Sequence, residues 1–276
     1  ADVEAAHILL DSRKLLFPAS SIFFALSGPR RNGNTFIPEL YAKGVRCFVV
    51  DEQFAKDDSF PGAVFLHVQD VLQALQALTA YHRQQFNLPV IGITGSNGKT
   101  IVKEWLYQLL QDDHSIVRSP KSFNSQVGVP LSVWQINAGH TLGIFEAGIS
   151  QPDEMQRLEK IIAPSIGVVT SIGDAHSEGF LNIRQKINEK LKLFVRSDVL
   201  IYCADNPDLN EAVNLFAGNV RNVDDFTLFS WSRKESATLQ VLATDRSDAG
   251  TTITARYQGK DMQFVIPFTD EASIEN

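Results

Sequence analysis

The sequence predicts an α/β protein, and three observations carry that expectation. Short apolar runs rich in β-branched residues alternate with segments of helical periodicity. One such run, Val90 to Ile93, opens onto a glycine-bearing loop and then a helix. Only the stretch beyond residue 237 alternates like antiparallel strands. The expected architecture is a small N-terminal α/β domain, residues 1–86, followed by a parallel-sheet domain of the P-loop type, 87–276, with an antiparallel extension at its end.

With 276 residues the chain can bury a sizeable core, and two domains fit that length better than one. The formal net charge is -7 and the acidic residues are dispersed, so a nucleic-acid partner is not expected. No apolar run approaches the roughly 18 residues of a membrane span, and no basic segment precedes an apolar one at the start. Cytoplasm is the default. Cys47 and Cys203 both lie in apolar, strand-like runs and read as core thiols.

In the first domain, Ser21 to Leu26, Val45 to Val50 and Ala63 to Val68 read as strands, with helices over Phe36 to Ala42 and Val71 to Phe86. Ser12 and Arg13 precede the first of these strands; as residues alone they read as a solvated turn. The seam falls at Asn87-Leu88-Pro89, where the proline opens the next strand.

After that strand come Gly95, Ser96, Asn97, Gly98, Lys99 and Thr100. The glycines let main-chain N–H groups approach an anion, and the helix beginning at Lys99 aims its N-terminal dipole at the same place. Such a loop holds nucleotide phosphates: the lysine reaches them and the following hydroxyl serves magnesium. The general G-x-x-x-x-G-K-[ST] pattern is not met, because its first glycine would fall on Ile93.

Two further strands end on candidate ligands. Thr141 to Phe145 leads to Glu146-Ala147-Gly148, placing a carboxylate at the edge where parallel sheets bind ligands and where magnesium is usually held. Ile166 to Ile172 leads to Asp174-Ala175-His176-Ser177-Glu178, where His176 is a candidate metal ligand or an ordinary loop histidine. Between them, Ser122 to Leu131 reads as a polar connection into a helix at Leu131 to Ile136, and Pro152 to Ile162 as a helix with the proline in its first turn. Lys186, Lys190 and Lys192 on the next helix read by composition as a solvated face. Val199 to Cys203 is another buried strand, a helix runs from Pro207 through Phe216, and the tail ends with no helix expected.

The motif T-G-S-N-G-K-T resembles that of the Mur ligases and their relatives the folylpolyglutamate synthetases. The Mur likeness extends to D-S-R, F-F-A-L-S-G and G-V-R-C-F-V-V before the seam, to E-A-G at Glu146 and to D-A-H-S-E-G-F at His176. It is strongest to the branch that joins D-alanyl-D-alanine to UDP-N-acetylmuramoyl tripeptide, and in wording to a form fused to an alanine racemase. The resemblance implies an ATP-dependent ligase that makes an acyl phosphate, with ATP and Mg²⁺ required. It implies a first domain that holds the UDP end of the substrate through Ser12 and Arg13. Asn124 matches one asparagine of a substrate segment, N-x-N-N-x-x-G-x-P, while Ser125 departs from the next. Glu146, His176 and Thr100 match magnesium ligands, and Lys190, fourteen residues after His176, matches a carbamylated lysine that acts beside them. Asn276 resembles an asparagine that meets the adenine.

The family's third domain is not represented, so the chain is expected to be a fragment, and a monomer. Two alternatives stay open: a folylpolyglutamate synthetase-like ligase, disfavoured by the first domain, and a nucleotide switch that does not ligate.

Overall fold

The computed structural model describes residues 5–28, 32–55, 59–173, 179–219 and 226–276. The chain divides into two compact units, Ala1–His82 and Arg83–Asn276.

The first unit contains a four-stranded parallel sheet in the order β1-β2-β3-β4. Its strands are β1 (His7–Leu9), β2 (Ser21–Phe24), β3 (Cys47–Asp51) and β4 (Val64–Val68), with α1 (Ile37–Ala42) between β2 and β3 and α2 (Val71–Gln84) after β4. The period of two sorts side chains onto opposite faces. Phe23, Phe48 and Val50 pack with Ile37 and Leu40 of α1, whereas Ile22, Phe24, Cys47 and Val49 pack with Val71 and Leu75 of α2. Two cores therefore sandwich one sheet.

The unit division falls a few residues before Asn87, because Arg83 belongs with the second unit. Its buried guanidinium donates to the carbonyls of Phe86 at 2.7 Å, Ile162 at 3.0 Å and Leu88 at 3.3 Å. The cation thus satisfies carbonyls at the end of the helix that closes at Ile162 and in the connection that leads into the strand opening at Val90.

In the second unit the parallel strands are β5 (Val90–Thr94), β6 (Ile116–Arg118), β7 (Leu142–Glu146), β8 (Ile166–Val169), β9 (Val199–Cys203) and β10 (Thr227–Ser232). The extension is β11 (Leu239–Ser247), β12 (Gly250–Tyr257) and β13 (Lys260–Ile266); β12 is antiparallel to both its neighbours. The helices are α3 (Lys99–Leu110), α4 (Gly128–Val133), α5 (Glu154–Ile162), α6 (Ile183–Leu191), α7 (Pro207–Ala217) and α8 (Glu271–Glu275). The sheet order is β13-β12-β11-β10-β9-β8-β5-β7-β6. Since β5 lies between β7 and β8, the loop after it sits at the switch point where α/β sheets bind ligands.

Five local expectations need correction. Strand β10 has half-buried rather than fully apolar residues, which hid it from a search for buried runs. Helix α4 starts at Gly128, because the Ser125 hydroxyl accepts from Gly128 N–H and the backbone of Val129 bonds Ser125. Helix α5 starts at Glu154 and not Pro152: Asp153 has φ 65°, which breaks the spiral, and Glu154 Oε2 accepts from the amides of Ser150 and Gln151. The chain does finish on a helix, α8, capped by Asp270, whose carboxylate accepts from Ser273 N–H at 2.9 Å. The supposed solvated face of α6 is largely buried, with Lys186 at 1% and Lys190 at 4% exposure.

Candidate active site

The loop between β5 and α3 is stapled to the end of β8. Ser96 N–H donates to Ser171 O at 2.7 Å, the Thr170 hydroxyl donates to Asn97 O at 2.5 Å, and the Ser96 hydroxyl donates to Gly173 O at 3.0 Å. Both glycines are needed here. A Cβ on Gly95 would lie 1.9 Å from Thr170 Oγ1, and one on Gly98, where φ is +83°, would lie 2.0 Å from Asn276 Oδ1. No side chain caps α3, so its first-turn N–H groups remain for a ligand. Lys99 folds back over the loop and donates to Gly95 O at 2.9 Å and Ser96 O at 3.1 Å. Burial lowers its pKa, Lys186 adds to that, and Glu146 works against it.

Beneath Thr100 the Glu146 carboxylate is fully buried. The Thr100 hydroxyl donates to Glu146 Oε2 at 3.0 Å. Glu146 Oε1 lies 2.9 Å from the ammonium of Lys103, an ion contact outside hydrogen-bond geometry, so this buried oxygen has no hydrogen-bond donor. A buried carboxylate that accepts from a hydroxyl at the start of α3 is a donor set whose chemistry suits magnesium. Among the described residues no three carboxylate, imidazole or thiol groups cluster as a metal site, here or elsewhere. His176, with Asp174 and Glu178, lies outside the described residues.

Lys190 reaches the same loop from α6, donating to Gly95 O at 3.0 Å, while Lys186 donates to Gly173 O at 2.5 Å. Burial, followed by Lys99 and Lys186, lowers the Lys190 pKa to about 7. A cavity of about 320 Å³ opens beside the loop, and Gly95, Lys99, Asn124, Gly148 and Lys190 line it. Asn124 is fixed there by its own carbonyl, which accepts from Gly148 N–H at 2.8 Å.

In the other unit Ser12 is buried, whereas the exposed Arg13 guanidinium grips Asp11, its Nε at 2.9 Å from Oδ1. Asn276 packs against Gly98, which puts it at the phosphate loop whatever else it meets.

Lys103, Thr170 and Ser171 are not singled out by the sequence, and Lys186 reads there only as part of a solvated face. Lys103 had a legible signal: with Lys99, Leu106 and Leu110 it lies on one helical stripe, three and four residues apart, so a lysine stands where the core continues. Lys186 and Lys190 flank buried Ile187 and Leu191 in the same manner.

Fold and site define an α/β protein whose glycine loop occupies the switch point of a parallel sheet, with cations from two helices and a buried carboxylate around it. The Mur ligase middle domain matches residues 93–276, and the chain belongs to the Mur ligase family. The UDP-N-acetylmuramoyl-tripeptide--D-alanyl-D-alanine ligase of Treponema pallidum is 33% identical over 192 residues, covering 67% of this chain and 41% of that protein. Two solved structures share the fold. MurF from Acinetobacter baumannii has a TM-score of 0.84 at 23% identity, covering 98% of this chain and 57% of that one. MurF from Thermotoga maritima, solved in complex with ADP, has a TM-score of 0.83 at 22% identity, covering 99% and 61%. The chain spans about half the length of the curated relatives it matches. Among the described residues no helix is long and apolar enough to cross a membrane.

Proposed function

We propose that the chain carries the nucleotide site of an ATP-dependent amide ligase that joins D-alanyl-D-alanine to UDP-N-acetylmuramoyl tripeptide. One observation supports this most: the phosphate loop, the buried Glu146 under Thr100, and a cavity shared by Lys99, Asn124 and Lys190 converge at one sheet edge. In this reading the tripeptide's terminal carboxylate takes the γ-phosphoryl group of ATP; the new O–P bond forms as the bond to the leaving ADP oxygen breaks. The D-alanyl-D-alanine amine then attacks the acyl carbon, the C–O bond to phosphate breaks, and phosphate and a proton leave.

Lys99 neutralises charge on the phosphates, and the N–H groups at the start of α3 hold them without reorganising. Asn124 orients the carboxylate. Magnesium, held by Thr100, Glu146 and His176 with phosphate oxygens, would further offset the charge of the transferring group. Lys190, its pKa lowered to about 7, has a neutral amine that can add carbon dioxide with loss of a proton, and the resulting carbamate supplies an anion to the cavity that Lys190 lines with Lys99 and Asn124. Ser12 and Arg13 in the first unit serve the UDP end. The protein works as a cytoplasmic monomer.

The test is phosphate release by the whole protein with ATP, UDP-N-acetylmuramoyl tripeptide and D-alanyl-D-alanine, each omitted in turn. Release that needs all three is expected; equal release from ATP alone would point to a nucleotide switch.

A further inference from the structure

Lys103 is fully buried, yet its ammonium is crowded by oxygen. It lies 2.9 Å from Glu146 Oε1 and 3.1 Å from Glu104 Oε1. It donates to Ser119 O at 2.8 Å and to Lys121 O. The Ser119 hydroxyl in turn accepts from Glu146 N–H at 3.2 Å. A charge relay runs outward from there, since Arg118 pairs with the other oxygen of Glu104 at 3.1 Å and stacks over Tyr107.

The two carbonyls are placed where they matter. Lys121 has φ 49°, a conformation that a side chain disfavours and that its surroundings must hold. Three residues on is Asn124, whose carbonyl receives Gly148 N–H, and Gly148 lies two residues after Glu146. A closed circuit results: Lys103 to Glu146, along the chain to Gly148, across to Asn124, back through Lys121 to Lys103. The lysine sits one turn after the phosphate loop, on the same helix as Thr100.

We infer that Lys103 is a positioning residue which sets the Glu146 carboxylate and the Asn124 segment from a single ammonium, so that the metal side and the carboxylate side of the site keep a fixed separation. The inference rests on the proposed nucleotide site. Lys103 touches neither the cavity nor the phosphate loop's carbonyls, so it acts only through its partners.

The experiment uses the 276-residue chain as wild type, Lys103→Met, Glu146→Gln and the double variant, with ADP titrated calorimetrically in EDTA and in excess magnesium. Loss of an outer partner of a metal ligand typically weakens metal binding roughly 10–100-fold. Lys103→Met should lose that much of the magnesium-dependent gain while keeping its metal-free ADP affinity. In the double variant no buried charge is left unpaired at this point, which protects folding. It should bind magnesium-ADP no worse than Glu146→Gln alone, yet shift the backbone NMR signals of Lys121 to Asn124, which Glu146→Gln alone leaves in place. An undiminished magnesium gain in Lys103→Met, an equal fall in metal-free affinity, or unmoved Lys121 to Asn124 signals in the double variant each overturn the proposal. A wild type with no ADP affinity in either condition overturns the nucleotide reading, and the proposal with it.

Discussion

The ammonium of Lys190 donates to the carbonyl of Gly95 at 3.0 Å, tying α6 to the phosphate loop. Burial and the neighbouring lysines Lys99 and Lys186 lower this group from 10.5 to about 7. In the unfolded chain it regains its ordinary value, so between those two values the unfolded state holds the extra proton and stability rises with pH; below the lower value the whole penalty of a buried cation is present. In urea unfolding without carbon dioxide, Lys190→Met should therefore gain on wild type at about pH 6, and that advantage should shrink steadily as pH rises from about 7 toward about 10. A difference between the two proteins that stays constant across this range would contradict the buried, cation-crowded setting of Lys190.

Carbamylation of the same residue has a separate signature. Wild-type protein in ¹³C-bicarbonate should show a carbamate carbon signal that Lys190→Arg lacks. In the whole enzyme, Lys190→Ala should abolish ligation, with partial rescue by acetate, and a Lys190→Arg enzyme of normal turnover would rule out the carbamate.

Lys99→Ala removes a cation from the phosphates while leaving the loop's N–H groups in place. A charge-assisted contact of this kind is worth about 1.5–3 kcal/mol, so ATP affinity measured by calorimetry should fall roughly 10–100-fold. Equal affinity in variant and wild type would mean that nucleotide binds elsewhere.

At Gly98 two costs coincide, a φ of +83° and a Cβ that would sit 2.0 Å from Asn276 Oδ1. Gly98→Ala should lose about 1–3 kcal/mol in thermal or urea unfolding. Adding Asn276→Ala should return the steric part alone, because the backbone strain remains. Full recovery in the double variant would show that the conformation itself costs nothing.

The first unit should answer to UDP by itself. Amide signals of Ser12, Arg13 and the residues after Leu26 should shift on UDP addition, with Gly95 to Thr100 unmoved; the opposite pattern would reassign that unit.

Much of this molecule was legible in the linear chain because the relevant signals are local. Most of the strands and helices, though not β1, β10 or α8, the glycine loop at Gly95 to Thr100 and the carboxylate at the end of β7 come from period, turn chemistry and strand ends. What tertiary structure decided was burial and partnership. Composition puts lysines in water, so Lys190 read as solvated and Lys103 went unremarked. Only packing of α6 and α3 against the loop and against β7 shows that both ammonium groups are enclosed, one by a loop carbonyl, the other by Glu146 and two carbonyls. The same holds for helix starts. Whether Pro152 or Glu154 begins α5 depends on the left-handed turn at Asp153, held by Asp153 N–H donating to Glu189 at 3.0 Å across 36 positions of sequence. Periodicity reports which residues are apolar; the fold decides which polar ones are drawn in with them, because a buried charge is tolerable only where distant parts of the chain bring it oxygen or an opposite charge.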